Sequence, residues 1–167
     1  MTFPQQAPPA RTTDNWYTPP EILEQLGAFD LDPASSRDRP RNTARVHLTP
    51  ELNGLEAPWV GRVWLNPPYS EVGPWIKRLA DHGDGVALVF ARTETRWAQD
   101  FVFPRASGVL FLRGRLRFWC ETAGVWGPGP NVAGAPSMLV SYDPEGLATN
   151  LWSLMHCGLK GALWRLR

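Results

Sequence analysis

The chain has 167 residues, is 43% hydrophobic and 20% charged, and carries a formal net charge of +1. That length suits one domain whose core needs no staple of disulfides or zinc, and the composition excludes a disordered tail or a coiled coil. The near-neutral balance points by itself to neither a nucleic-acid nor an acidic partner. Two cysteines, Cys120 and Cys157, cannot build a disulfide framework or a four-ligand zinc site, which favours a reducing compartment. No apolar run reaches the ~18–20 residues that span a bilayer, and the first residues show no signal-peptide core. A cytoplasmic protein without membrane contact is expected. All of the 17 basic residues except Lys77 and Lys160 are Arg, clustered at 37, 39, 41 and 45 and again at 113, 115 and 117.

Residues 1–15, rich in Pro, Gln and Thr and without periodicity, read as a flexible arm that leaves 16–167 as a single domain. Thr18-Pro19-Pro20-Glu21 predicts a helix start, with Thr18 as N-cap, Pro19 in the first helical position and Glu21 completing a capping box. Ile22, Leu23 and Leu26 give that helix its apolar face, and Gly27 ends it. A short buried strand follows over 28–32. Residues 32–66 read mostly as loop, with a small strand at 45–48. The strand at 62–65 is stopped by Pro67-Pro68.

Further on, a helix over 74–82 leads through Gly83-Asp84-Gly85 to 86–91. This continuous apolar run is the pattern of a parallel strand covered on both faces. Residues 94–103 read as helix. Strands at 109–112 and 116–119 flank Arg113-Gly114-Arg115 as a hairpin or a kinked strand, and 121–136 reads as a long patternless loop. A strand at 138–142, a helix at 146–157 and a strand at 162–166 complete the chain. The alternation predicts an α/β sheet, mostly parallel with antiparallel C-terminal strands.

One segment carries chemistry. Val63-Trp64-Leu65 runs directly into Asn66-Pro67-Pro68-Tyr69, beyond the carboxyl end of a strand, where open α/β sheets bind ligands. An exocyclic amine on a nucleobase is a poor nucleophile because its lone pair is delocalised into the ring. Two acceptors on its hydrogens, the Asn66 side-chain oxygen and the Pro67 carbonyl, return electron density to the nitrogen, and the tandem prolines hold them rigid. Tyr69 offers a face for an unstacked base, a contact worth ~1–3 kcal/mol. His47, His82 and His156 show no mutual spacing that suggests a metal, and none is expected.

These residues resemble the DNA N6-adenine methyltransferases, in particular the short type encoded by phages and prophages. Trp16-Tyr17-Thr18-Pro19-Pro20-Glu21 is similar to the segment that in this family touches the methionine end of S-adenosylmethionine. Phe29-Asp30-Leu31-Asp32-Pro33-Ala34-Ser35 resembles the cofactor motif after the first strand, and Asn66–Tyr69 the catalytic motif. The stretches 111–118 and 136–140 also look like the phage type. The resemblance implies S-adenosylmethionine as cofactor, a DNA adenine taken out of the stack as substrate, and catalytic roles for Asn66, Pro67, Pro68 and Tyr69. It implies cofactor contacts from Trp16, Tyr17, Thr18, Pro19, Asp32, Pro33, Ala34 and Ser35. Ser70, Arg92, Arg113 and Arg115 are the substrate-side candidates.

The sequence also departs from the family pattern. No glycine stands in Asp32-Pro33-Ala34-Ser35-Ser36, where the wider family has a glycine-rich turn. Only 33 residues separate Asp32 from Asn66, so at most one crossover fits where three are expected. The expected architecture is therefore a truncated Rossmann-like methyltransferase sheet lacking most of one edge. Asp30 or Asp32 takes the role of the acidic residue that grips the cofactor ribose. Asn53 stands before Gly54-Leu55, where phage relatives often carry an acidic residue, and is a cofactor candidate that can hydrogen-bond the adenine edge without charge.

Several readings stay open. The 18–21 segment is a helix cap, a cofactor contact, or both; Asp32-Pro33 also reads as a plain turn. Arg113–Arg117 reads equally as phosphate contact and as protection of a sheet edge. Without a separate recognition domain, duplex contacts fall to the Arg clusters and the 121–136 loop, with a short or loose sequence preference. The same catalytic tetrapeptide also suits RNA adenine, cytosine N4 or glutamine, and a degraded nucleic-acid-binding protein of the same fold is the non-enzymatic alternative.

Overall fold

The computed structural model describes residues 16–39, 41–122 and 124–167; the arm expected over 1–15 lies outside them. Among the described residues nine strands occur in chain order: β1 (Leu31–Asp32), β2 (Val46–His47), β3 (Val63–Leu65), β4 (Gly85–Phe90), β5 (Gly108–Leu112), β6 (Trp119–Thr122), β7 (Val125–Pro128), β8 (Ser137–Tyr142) and β9 (Gly161–Arg165). Seven form one sheet in the order β2-β1-β3-β4-β8-β5-β9, while β6 and β7 pair separately. Neighbours from β2 to β4 are parallel. β8 runs antiparallel between β4 and β5, and β9 antiparallel on β5. Five strands thus point one way and two, both C-terminal, the other: the expected mostly parallel α/β sheet.

Helices α1 (Pro20–Leu26), α2 (Val72–His82) and α3 (Thr149–His156) cover the two faces. Side chains alternate across a strand with period two, and here each face has its own core. Val86 and Leu88 of β4, with Trp64 and Leu139, pack under Ile22 and Leu26 of α1 and Leu154 of α3. Ala87 and Val89, with Val63, Leu65 and Val140, pack against Ile76 and Leu79 of α2. Double coverage explains why β4 reads as an unbroken apolar run. At its start Gly85 has φ +154°, and a Cβ there would lie 2.4 Å from the Val63 carbonyl oxygen. Glycine is what lets β4 approach β3 so closely.

Four local expectations are corrected. Helix α1 begins one residue later than predicted, with Pro19 as N-cap and no side-chain cap, so Thr18 and Glu21 form no capping box. The cause is Pro20, whose ring bars its predecessor from the helical region; Pro19 sits extended at ψ 131°. Residues 116–119 form no hairpin with β5. Instead Ala133 N–H donates to the Leu116 carbonyl and Gly129 N–H to that of Phe118. Beyond this, part of the expected 121–136 loop is the β6–β7 hairpin. Finally, the helix expected over 94–103 is short and carries a π turn at Ala98–Val102.

Among the described residues between β1 and β3 lie only β2 and a single 3-10 turn, Pro50–Leu52, so these parallel connections carry no α-helix there. At the opposite end of β3 from Asn66, Arg62 ties three elements together. Its guanidinium donates to the carbonyls of Leu26 and Ala28, to Asn150 Oδ1 at 2.6 Å and to Ser153 Oγ, and it lies 4.2 Å over the Phe29 ring. Losing the fork leaves several acceptors unpaired. Arg62→Met is therefore expected to destabilise the fold by about 2–3 kcal/mol in urea unfolding. Arg62→Lys should recover less than half of the loss, since an ammonium cannot span the same acceptors; full recovery would contradict this account.

Candidate active site

A cleft of about 880 Å³, open mouth included, lies beyond the carboxyl ends of β1 and β3. Three stretches distant in sequence meet there: Trp16, Tyr17 and Thr18 before α1; Asp32, Ala34, Ser35 and Ser36 after β1; and Asn66 and Pro68 after β3. Trp64 forms part of the floor, and Trp119 at the start of the β6–β7 hairpin closes one side. The N-terminal segment is fixed by main-chain pairing of Tyr17 with Trp119 and by the Tyr17 ring packing edge-on to Trp126. The Tyr17 hydroxyl accepts from Ser36 Oγ at 3.0 Å and donates to the Asp38 carbonyl at 3.1 Å. It thereby holds the loop after β1 against the segment before α1.

Asn66 is oriented by that same segment. Its Nδ2 donates to the Trp16 carbonyl at 2.6 Å. A carbonyl partner fixes which end of the amide is nitrogen, so Oδ1 must face the other way. Oδ1 is buried and has no hydrogen-bond partner. An unpaired buried acceptor is rare and costly, and at the end of a strand it is a place prepared for a donor.

Asp32 is the buried carboxylate of the cleft, 5% exposed. Its Oδ1 accepts from Ala34 N–H at 3.1 Å and its Oδ2 accepts from the Thr43 hydroxyl. Burial pushes its pKa up to about 6, against the opposing pull of those two donors and of the Arg39 guanidinium. Thr43 is in turn placed by His47, whose Nε2 accepts from the main-chain N–H groups of Thr43 and Ala44. His47 is thereby held neutral, and burial lowers its pKa further.

Other sequence candidates fall outside the lining. Pro19 is buried behind it as the N-cap of α1. Asp30 lies outside the lining, where its carboxylate accepts from the Arg62 main-chain N–H at 2.9 Å and pairs with Arg45. Pro33 is buried, and its carbonyl abuts Gly54 so closely that a Cβ there would lie 1.8 Å from the oxygen. Asn53 also lies outside the lining: it is exposed, takes the left-handed conformation at φ 44°, and ends the 3-10 turn.

Pro67 is buried. Tyr69 is half-buried, its ring 4.1 Å from Phe90 and 6.0 Å from Phe118, with burial raising its pKa. Ser70 and Arg92 are exposed at the same end of the sheet. Arg113 lines a separate depression with Met155 and Lys160. Arg115 reaches the Ala133 carbonyl at 3.5 Å, and Arg117 those of Gly129 and Pro130. Those two guanidinia brace their own loop, which favours the structural reading of that cluster.

Sequence reasoning missed Thr43, Arg39 and Trp119 in the lining. Each sits in irregular chain or at the start of an unrecognised hairpin, where no periodicity marks it.

The Asp32 environment has a measurable consequence. A carboxyl whose folded pKa is raised favours the protonated form, so its ionisation costs stability as pH rises through about 6. With an ordinary value of 3.8 in the unfolded chain, the shift corresponds to roughly 2–3 kcal/mol at pH 8. Asp32→Asn, whose amide the Thr43 hydroxyl can turn to meet, is expected to be more stable than the parent at pH 8 by about 1–3 kcal/mol. The difference should shrink toward zero by pH 4. Urea unfolding at both pH values reads it, and a pH-independent difference would refute the assignment.

Comparison with known proteins bears on what this cleft serves. A family model described as DNA N-6-adenine-methyltransferase (Dam) matches residues 5–145. A DNA N-6-adenine-methyltransferase of Haemophilus phage HP1 (strain HP1c1) is 29% identical over 123 residues, covering 70% of this chain and 68% of the relative. Another, from Escherichia phage T1, is 31% identical over 100 residues, covering 53% of this chain and 41% of the relative. No solved structure matches the chain. Because the family match spans most of its length, including all three stretches that meet in the cleft, the chain belongs to the DNA N-6-adenine-methyltransferase family.

Proposed function

We propose that this protein transfers a methyl group from S-adenosylmethionine to the N6 amine of adenine in DNA, within a single methyltransferase domain over 16–167. The observation that carries the reading is the pinned Asn66 amide, with its buried Oδ1 lacking a donor. An adenine amine supplies that donor. The order of the sheet, with an antiparallel strand between its last two parallel ones, supports a Rossmann-like methyltransferase fold shortened at the β2 edge.

The lining residues fit the cofactor: apolar aromatic walls for a flat heterocycle, small Ala34 and Ser35 at the turn, and charged groups at one side. Trp16, Tyr17, Thr18, Asp32, Ala34 and Ser35 would hold it. Bound S-adenosylmethionine supplies a methyl on a sulfonium sulfur, which keeps the bond's electrons as the adenine nitrogen takes the methyl and sheds a proton. Asn66 Oδ1 accepts one amine hydrogen and the Pro67 carbonyl the other, which localises the nitrogen lone pair and aims it. Pro68 stiffens the corner. Tyr69 stacks the flipped base on the ring face away from Phe90, a contact worth ~1–3 kcal/mol, and Ser70 and Arg92 border its entry. A short or loose target preference and action in the host cytoplasm complete the reading. The glycine-free turn after β1 favours a second one, a DNA-binding relative that has lost its cofactor.

Incubating plasmid with protein and S-adenosylmethionine, then measuring N6-methyladenine by nucleoside mass spectrometry, tests the proposal. Asn66→Ala should abolish transfer while unfolding within about 1 kcal/mol of the parent; near-parental turnover would refute the role. Tyr69→Phe should keep most activity, because the hydroxyl makes only a 3.5 Å contact with the Leu88 carbonyl, whereas Tyr69→Ala should lose both activity and stability. Absence of methylation with retained DNA binding would favour the second reading.

A further inference from the structure

Arg39 is the one cleft feature that the methyl-transfer chemistry leaves unexplained. It lines the cleft on the loop after β1, and its Nε is buried with no hydrogen-bond partner. A buried guanidinium N–H without an acceptor is as anomalous as the unpaired Asn66 oxygen. The neighbouring Arg41 is already paired, its guanidinium on Glu24 Oε1 at 3.1 Å and over the Trp119 ring. No ion pair to Arg39 exists among the described residues. The charged and titratable groups near it are the Asp32 carboxylate and His47, which accepts main-chain N–H bonds and is neutral.

The cleft therefore presents one buried carboxylate at the end of β1 and one unpaired guanidinium on the loop that follows it. A phosphate or other simple anion would meet repulsion from Asp32, and a simple cation repulsion from Arg39. A group bearing both charges a few bonds apart satisfies both. On the reading of S-adenosylmethionine as cofactor, on which this inference rests, that group is the α-amino acid end. We propose that Arg39 binds its carboxylate and Asp32 its ammonium, so that this charge pair selects cofactor-like ligands carrying an intact amino acid. Tyr17 acts as a positioning residue, since its hydroxyl bonds to Ser36 and Asp38 hold the loop that carries Arg39.

Titration calorimetry with three non-reactive ligands tests it: S-adenosylhomocysteine, its decarboxylated analogue bearing an aminopropyl thioether, and 5′-methylthioadenosine, which lacks the amino acid. The parent should bind the first roughly 10- to 100-fold more tightly than the second, the range for a charge-assisted hydrogen-bonded pair. Arg39→Met should weaken S-adenosylhomocysteine by about that factor and leave the other two unchanged, collapsing the preference. Asp32→Asn should weaken the first two and spare the third. Preserved preference in Arg39→Met, or equal loss of all three ligands, would overturn the clamp while leaving the cofactor reading intact. A parent chain that binds none of the three overturns both.

Discussion

The hydrogen bond from the Asn66 amide to the Trp16 carbonyl joins segments 50 residues apart, and the geometry of the cleft is organised around it. It sets the rotation of the amide, so that the oxygen and not the nitrogen is presented at the end of β3. It also anchors the segment before α1, whose neighbouring residue Tyr17 pairs with Trp119 and holds the loop after β1. One main-chain acceptor thus links the orientation of a side chain to the position of two walls. On the proposed reading such preorganisation would serve an intrinsically unreactive amine, since alignment fixed in advance lowers the barrier that remains.

Charge is arranged on the same principle. Asp32 is kept buried at a cost that burial alone would make prohibitive, offset by the Ala34 N–H, the Thr43 hydroxyl and the Arg39 cation. Groups that reduce stability while facing an open cleft are more readily understood as parts of a binding surface than of a scaffold. The contrast with Asp30, two residues earlier, is instructive. Its carboxylate caps the Arg62 main chain and pairs with Arg45, which accounts for it without any ligand.

The sequence made the centre of the sheet legible and its periphery obscure. β4 and β8 are buried on both faces, so their apolar runs stand out. The start of α1 was misplaced by one residue because Pro20 overrides the capping signal of Thr18. The β6–β7 hairpin was invisible since its residues line no common core and its partner contacts come from Tyr17, far away in sequence. In the cleft, Asp32, Ala34, Asn66 and the 16–18 segment were legible because a strand end followed by proline marks a special corner. Thr43 and Arg39 were not, for a loop fixed by scattered side-chain bonds leaves no pattern to read. Asn53 and Asp30 stand out in the sequence by chemistry alone, and their backbone duties appear only in three dimensions.

The pairing of Tyr17 with Trp119 spans about a hundred positions, whereas the β1, β3 and β4 floor is assembled from neighbouring segments. Long loops are closed at a greater entropic cost than short ones, and distant contacts form late. During synthesis on the ribosome, residues 16–18 wait for a partner made about a hundred residues later. The roof of the cleft therefore cannot close until the segment carrying Trp119 has joined the fold.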